Sequence, residues 1–473
     1  MMRQMLVVLI FCCFDLFAGL SVAQQTKSST RDDQTDLAVT VYNSNLGLVK
    51  DTREIVIGKG LQELMFKDVA ERIKATTVHV KSLTDADGLT VLEQNYEYDL
   101  LSQQKLLEKF VGQEIHFVQT DRETGKQTVT KAELLSTGRG NIFRVDGKIV
   151  FDVPGSLELP KIPENLIAKP TLAWMLDAKK GGTHKIEASY LTDGINWHAD
   201  YIAVLNEKDT ALDLSGWVTI DNKSGATYEN AALKLVAGDL QRVQPEYARR
   251  ARFVSGVRGS EAPKFEEASF FEYHIYTLGR RTTIKNNQTK QMELLNSTDI
   301  SIQKEYTYRG DRSFYTRRIT DLNKENKVGV SIRFDNVTKN NLGMPLPKGT
   351  VRAYKKDKDG SLQFVGENTI DHTPKDEGIR IKIGDAFDIV AERKQTDFKT
   401  IAQAVVEVGF EIELRNHKDE NITVTISEPV YGDWEMLEAS HKYEKASAGE
   451  VLFPVDVKAG EQAVLTYRAR LKF

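Results

Sequence analysis

Apolar and polar residues alternate most regularly between Trp197 and Val236, WHADYIAVLNEKDTALDLSGWVTIDNKSGATYENAALKLV. Leu212, Leu214, Gly216, Val218 and Ile220 fall on one side of a period-two pattern, and Asp213, Ser215, Trp217, Thr219 and Asp221 on the other. A half-buried antiparallel strand requires this alternation. A turn at Asn222–Gly225 follows, and Leu233 and Leu235 resume the alternation in a returning strand.

The same device recurs downstream. Val328, Val330, Ile332 and Phe334 alternate up to Asn336, and Val406, Val408, Phe410, Ile412 and Leu414 alternate up to Asn416. WVTIDN, VSIRFDN and FEIELRN are thus three strands that each end in Asn at a turn. Asn suits that position because its side chain bonds nearby backbone and it tolerates a left-handed conformation. The last run, AVLTYRARLKF, sets Leu465, Tyr467, Ala469, Leu471 and Phe473 against Thr466, Arg468, Arg470 and Lys472. A core strand is therefore expected at the end of the chain.

Between Leu37 and Val91 short alternating segments continue as a meander. The one helix predicted spans Tyr98–Val111, with Leu100, Leu107 and Val111 in a stripe beside Phe110, and Gly112 ends it. Five short strands follow, at Glu114–Gln119, Gln127–Leu135, Asn141–Val145, Lys148–Val153 and Ser156–Leu159. A helix leading into five tightly turned strands is the pattern of a small SH3-like barrel, read here as an inserted packing module because fold alone does not license function. Pro154, Pro160, Pro163 and Pro170 then suggest an extended crossing, since proline cannot donate to a sheet ladder.

These patterns give a mainly β protein of multi-domain antiparallel β-sandwiches with a helix-plus-barrel insert. The expected division is a signal peptide at 1–23, a disordered lead-in at 24–36, and an N-terminal β-sandwich at 37–97 and 166–238. The insert occupies 98–165, a linker 239–269, and one or two further sandwich units 270–473. The linker mixes charge, Gly and Pro without a period, and its basic part, Arg249 to Arg258, reads as solvated chain in preference to a docking arm.

Composition changes this picture in two ways. A chain of 473 residues that is 40% hydrophobic supplies several cores, and a net charge of −4 from 28% charged residues provides no field for nucleic acid. Both cysteines, Cys12 and Cys13, lie in a segment with Arg3 near its start, an apolar run from Met5 to Phe14 and a small-residue exit at Ser21–Ala23. That segment reads as a signal for export, so the mature chain is expected to lack cysteine, disulfides and thiolate metal sites and to act in the periplasm or outside the cell. Asp15 interrupts the apolar run and leaves an uncleaved anchor open, although the run is shorter than the roughly 20 residues a span needs. No later segment is apolar enough to span a membrane.

Catalytic signatures are sparse. None of the eight histidines pairs with another at zinc-ligand spacing, and nucleophile elbows, P-loops and dinucleotide fingerprints are missing from the sequence. His198, two residues before Asp200, is the only histidine beside a tempting carboxylate, and a strand-edge aromatic cluster with a solvated acid is the preferred reading. Asp433-Trp434-Glu435 is a weak sugar-facing candidate, with packing of Trp434 the preferred reading. Lys355–Ser361, KKDKDGS, superficially suggests a calcium loop but lacks the later ligands, so a hairpin turn is preferred. No catalytic, cofactor-binding or metal-binding residue is assigned, and no cofactor is expected.

The phrases GINWHADYIAVL, SGWVTIDNKSGATYENAALKLVAGD, FEYHIYTL with IKNNQTKQMELL, and FEIELRNHKDENITVTISEPVYGDWEM together resemble the bacterial secreted family of domain of unknown function 4139. The likeness covers about residues 37–473. It extends to relatives called mucoidy inhibitor A, which implies a link with the cell envelope or its polysaccharides. The family brings no catalytic residues to carry over. The function expected is therefore a non-catalytic envelope or secreted module that binds a protein or polysaccharide. A hydrolase of envelope polysaccharide or peptide, using acids such as Asp200, Asp433 and Glu435, is the alternative.

Overall fold

The computed structural model describes residues 26–99, 102–138, 140–160, 167, 169–238, 265–270, 273–319 and 326–473. The expected signal peptide at 1–23 and nearly all of the expected 239–269 linker lie outside these residues. The chain is mainly β, in several mixed and antiparallel sheets, and forms two compact units. The first comprises residues up to Asp36, Asp51–Glu71 and Ala75–Ser189, and the second Leu37–Lys50, Arg72–Lys74 and Tyr190–Phe473.

In the first unit, strand Thr171–Ala178 pairs antiparallel with Gly60–Lys67 on one side and Leu89–Glu97 on the other. Being central, it is buried on both faces and reads LAWML without alternation, which hid Trp174 from a period-two reading. Arg53, fully buried here, stacks on Phe66 at 3.6 Å and is held by Asp51 and by the carbonyls of Ser29 and Lys67.

The disordered lead-in is corrected at this point: Thr26–Ser29 is a strand, parallel to Glu63–Phe66. Backbone bonds to a sheet edge hold it, so its polar side chains carry no sign of it. A capping box between Thr30 and Asp33 then closes a 3-10 turn.

The insert keeps its five strands, at Glu114–Thr120, Gln127–Ser136, Ile142–Val145, Lys148–Val150 and Ser156–Glu158. They pair as an open path in which Ser156–Glu158 lies on Glu114–Thr120 and Lys148–Val150 ends the other edge. The helix is shorter than expected, Gln103–Lys109, because Ser102 caps it by accepting from the Lys105 amide. Leu107 and Phe110 pack on Ile115, Phe117, Leu134 and Phe143.

The second unit holds two layered assemblies. One is a five-stranded sheet in the order Gln288–Ser301, Ala211–Asn222, Ile195–Leu205, Gly349–Lys356, Leu362–Ile370. Its inner face buries Trp197, Ala199, Tyr201, Val218 and Ile220. Trp197 there meets Tyr276 and donates to the Val236 carbonyl at 3.1 Å. The other is a nine-stranded sheet in which Val408, Phe410 and Ile412 share one core with Val424, Ile426, Phe453 and Val455 from the opposite end of the strand order. A sheet whose two ends share a core is folded over on itself as a sandwich. The terminal strand Gln462–Lys472 buries Leu465, Tyr467, Ala469 and Leu471 as expected, whereas Phe473 is half exposed.

Candidate functional site

The outward face of the five-stranded sheet gathers the polar and aromatic side chains that the alternation places away from the core. Register puts Glu293, Trp217, Asp200, Thr350 and Thr369 in one row across all five strands. Gln291, Thr219 and His198 form a neighbouring row, and Ser215, Ile202, Arg352 and Glu367 another.

Asp200 is the hub of this face. Its carboxylate lies 3.2 Å from His198 Nε2, accepts from Thr219 Oγ1 at 2.8 Å and from Arg352 Nη1 at 3.0 Å. Arg352 reaches on to Glu367 at 3.3 Å, and Gln291 donates to Thr219 Oγ1 at 3.2 Å. His198 and Arg352 keep roughly half of their side-chain surface open, whereas Asp200 retains 16%. The Thr219 hydroxyl donates to the Asp200 carboxylate and so is not held against the imidazole as a nucleophile would be. The face offers donors, an imidazole and an indole for recognition, on rigid strands.

The other sequence candidates are not brought to this face. Trp434 packs against the sandwich core, donates to the Ala448 carbonyl at 2.9 Å and lies under Lys445 at 4.2 Å. Asp433 and Glu435 alternate with it and are exposed, so the acids and the indole point to opposite sides and form no joint platform. Lys355–Ser361 is a hairpin turn in which Asp357 accepts from the amides of Asp359 and Ser361. Among the described residues no three His, Cys, Asp or Glu side chains form a group able to hold a metal, and no helix is long and apolar enough to cross a membrane.

One polar constellation was missed. Arg393 and Glu428 are both fully buried and ion-paired in the core of the nine-stranded sandwich. Tyr315 donates to Glu428 Oε2 at 2.6 Å, and Tyr467 lies 2.8 Å from the Tyr315 hydroxyl. Among the described residues Arg393 Nη1 has no hydrogen-bond partner, and the guanidinium lies about 5 Å from the rings of Phe314 and Phe410. Burial drives the ionisation of Tyr315 and Tyr467 far above the ordinary tyrosine value. The signal was present: Glu428 continues the inward series Ile422, Val424, Ile426, and Arg393 the series Ile389, Ala391.

Residues 186–473, more than half of the chain, match the model of the family described as domain of unknown function, DUF4139. The chain belongs to that family. The DUF4139 region takes in the Asp200 face and the Arg393–Glu428 cluster, while the insert at 98–165 lies before it. No curated protein matches the chain.

Proposed function

We propose that this DUF4139 protein is an exported, non-catalytic module of the cell envelope that binds a protein or polysaccharide partner through the outward face of its five-stranded sheet. The observation that carries this reading is the row Glu293–Trp217–Asp200–Thr350–Thr369, flanked by half-open His198 and Arg352. An indole beside charged donors on a sheet that needs no rearrangement is suited to binding, because rigid aromatic anchors lose little entropy on association. Binding is favoured over hydrolysis because Asp200 is committed to Thr219 and Arg352, and Glu435 faces Arg470 at 3.6 Å.

Equilibrium binding of the exported chain to purified envelope polysaccharide and to solubilised envelope protein tests the reading. Saturable binding to one fraction is expected, weakened at least tenfold by a Trp217→Ala, Arg352→Ala double variant that keeps its cooperative melt. Binding that the double variant leaves unchanged, or none to either fraction, would count against it.

A further inference from the structure

The nine-stranded sheet contains a marked irregularity of register. Strand Gly378–Ala402 pairs with Asn326–Asp335, but the two-residue step from Lys327 to Gly329 faces the five-residue step from Asp385 to Val390. Ala386, Phe387 and Asp388 therefore bow out of the ladder as a wide bulge. Ala386 stays against the sandwich core, while Phe387 is 94% exposed. Bulges re-aim side chains and are over-represented beside functional sites.

Phe387 stands at the edge of a groove of about 300 Å³, at the lower end of the range of small-ligand sites. Its apolar lining comes from Leu205, Tyr306, Val330, Ile332, Val365 and Ile383. Gly366, next to Val365, is where the five-stranded sheet's edge strand meets the Ile383 carbonyl so closely that a Cβ would collide with it. That close crossing brings Val365 of one sheet to Ile383 of the other.

The charged lining is specific. Asp209, in a left-handed turn with φ 54°, joins Lys304 at 2.7 Å and Lys355 at 2.5 Å, one lysine from each sheet. Burial pushes the Asp209 carboxyl up, but the bonds from the two ammonium groups outweigh it and hold the carboxyl below the usual range. Lys418 lies over the Tyr306 ring at 5.8 Å, with Glu420 at 3.5 Å. Asp385 is taken by Lys382 and Lys327 from outside the groove. Each ammonium has three donors, so Lys304 and Lys355 retain bonding capacity after serving Asp209. The lining itself is balanced, Lys304, Lys355 and Lys418 against Asp209, Asp385 and Asp388; the outer partners Lys327, Lys382 and Glu420 tip the surroundings to one positive charge in excess.

We infer that this groove, with Phe387 as its clamp, is a site for a small amphipathic anion, whose apolar body lies against Val330, Ile332, Ile383 and Phe387 and whose acidic end meets Lys304, Lys355 and Lys418. It is independent of the sheet face proposed above.

Displacement of anilinonaphthalene sulfonate from the full exported chain by decanoate, decanol and decylamine tests the site. Decanoate should displace the dye, decanol at least tenfold more weakly, and decylamine not at all. Phe387→Ala should weaken decanoate about tenfold at an unchanged melting temperature, since its ring is exposed. Lys418→Met should weaken decanoate and leave decanol as it was. Equal displacement by decanoate and decanol, or the same decanoate affinity in Phe387→Ala, overturns the proposal. A dimer that Phe387→Ala dissociates, with no displacement by decanoate, also overturns it and assigns the patch to a second copy.

Discussion

Two carboxylate–guanidinium pairs in the DUF4139 region use the same chemistry in opposite surroundings. Asp200 and Arg352 lie on a sheet face with Arg352 40% exposed, whereas Glu428 and Arg393 are at 0%. On the face, water competes with each bond, so the pair contributes little to stability and its donors can be exchanged for those of a ligand. In the core no water takes the place of a lost partner. The buried pair there is costly to assemble and more costly to break. The binding proposed for this protein draws on the first kind of pair, while the second lies closed in the core.

The sharpest way to break this contrast is Glu428→Gln. It leaves the Arg393 charge in the sandwich core, already short of a partner at Nη1, with no anion to balance it. A loss of about 3–5 kcal/mol is expected in the urea transition of the C-terminal sandwich. Replacing both residues, Arg393→Met with Glu428→Leu, should recover most of that loss. A single variant that loses under about 1 kcal/mol would mean that the buried pair behaves like the exposed one.

Alkaline pH gives a smaller and graded test of the same core. The folded-state ionisation of Tyr315 and Tyr467 is raised by burial above the ordinary value of 10.0. Their contribution to stability is therefore complete below pH 10 and lost as pH rises, because the unfolded chain releases phenolic protons that the folded chain retains. Urea midpoints should fall above pH 10 at a limit of about 1.4 kcal/mol per pH unit for each tyrosine. Tyr467→Phe should flatten that slope, and an unchanged slope in the variant would place its origin elsewhere.

Much of this architecture was legible where one face of a strand meets a core and the other meets water. The series Leu212–Ile220 and Val406–Leu414 are buried as their alternation requires. The three strand-ending asparagines were legible in position but only partly in mechanism. Asn222, Asn336 and Asn416 are buried, and none adopts a left-handed backbone. Asn416 Nδ2 instead reaches the carbonyls of Glu420, Val457 and Lys458 while its Oδ1 accepts from the Lys418 amide. Asn222 repeats this with Ala226, Ile284, Lys285 and the Ser224 amide. The side chain thus satisfies backbone groups at two converging turns, and only the local one could be read from the neighbouring sequence. Of the outward face, i, i+2 spacing set His198 beside Asp200, but the acid expected to be solvated keeps only 16% of its side chain open. Arg352, more than 150 positions away, required the parallel pairing of Asp200 with Thr350. Strand Thr26–Ser29 and the bulge at Ala386–Asp388 were illegible for one reason: both are set by backbone register, which side-chain pattern does not encode.

The gentlest test lies on the exposed pair itself. Arg352→Ala removes one of three groups around Asp200 and leaves the Thr219 hydroxyl and His198 in place. Because water can solvate the freed carboxylate, the loss in stability should stay within about 1 kcal/mol, and less at high salt. Under the proposed binding role, affinity for the envelope fraction should fall more than stability does. A destabilisation above about 3 kcal/mol would reverse the assignment. Arg352 would then hold strand Gly349–Lys356 against Ile195–Leu205, and the face would be a structural layer that happens to be wet.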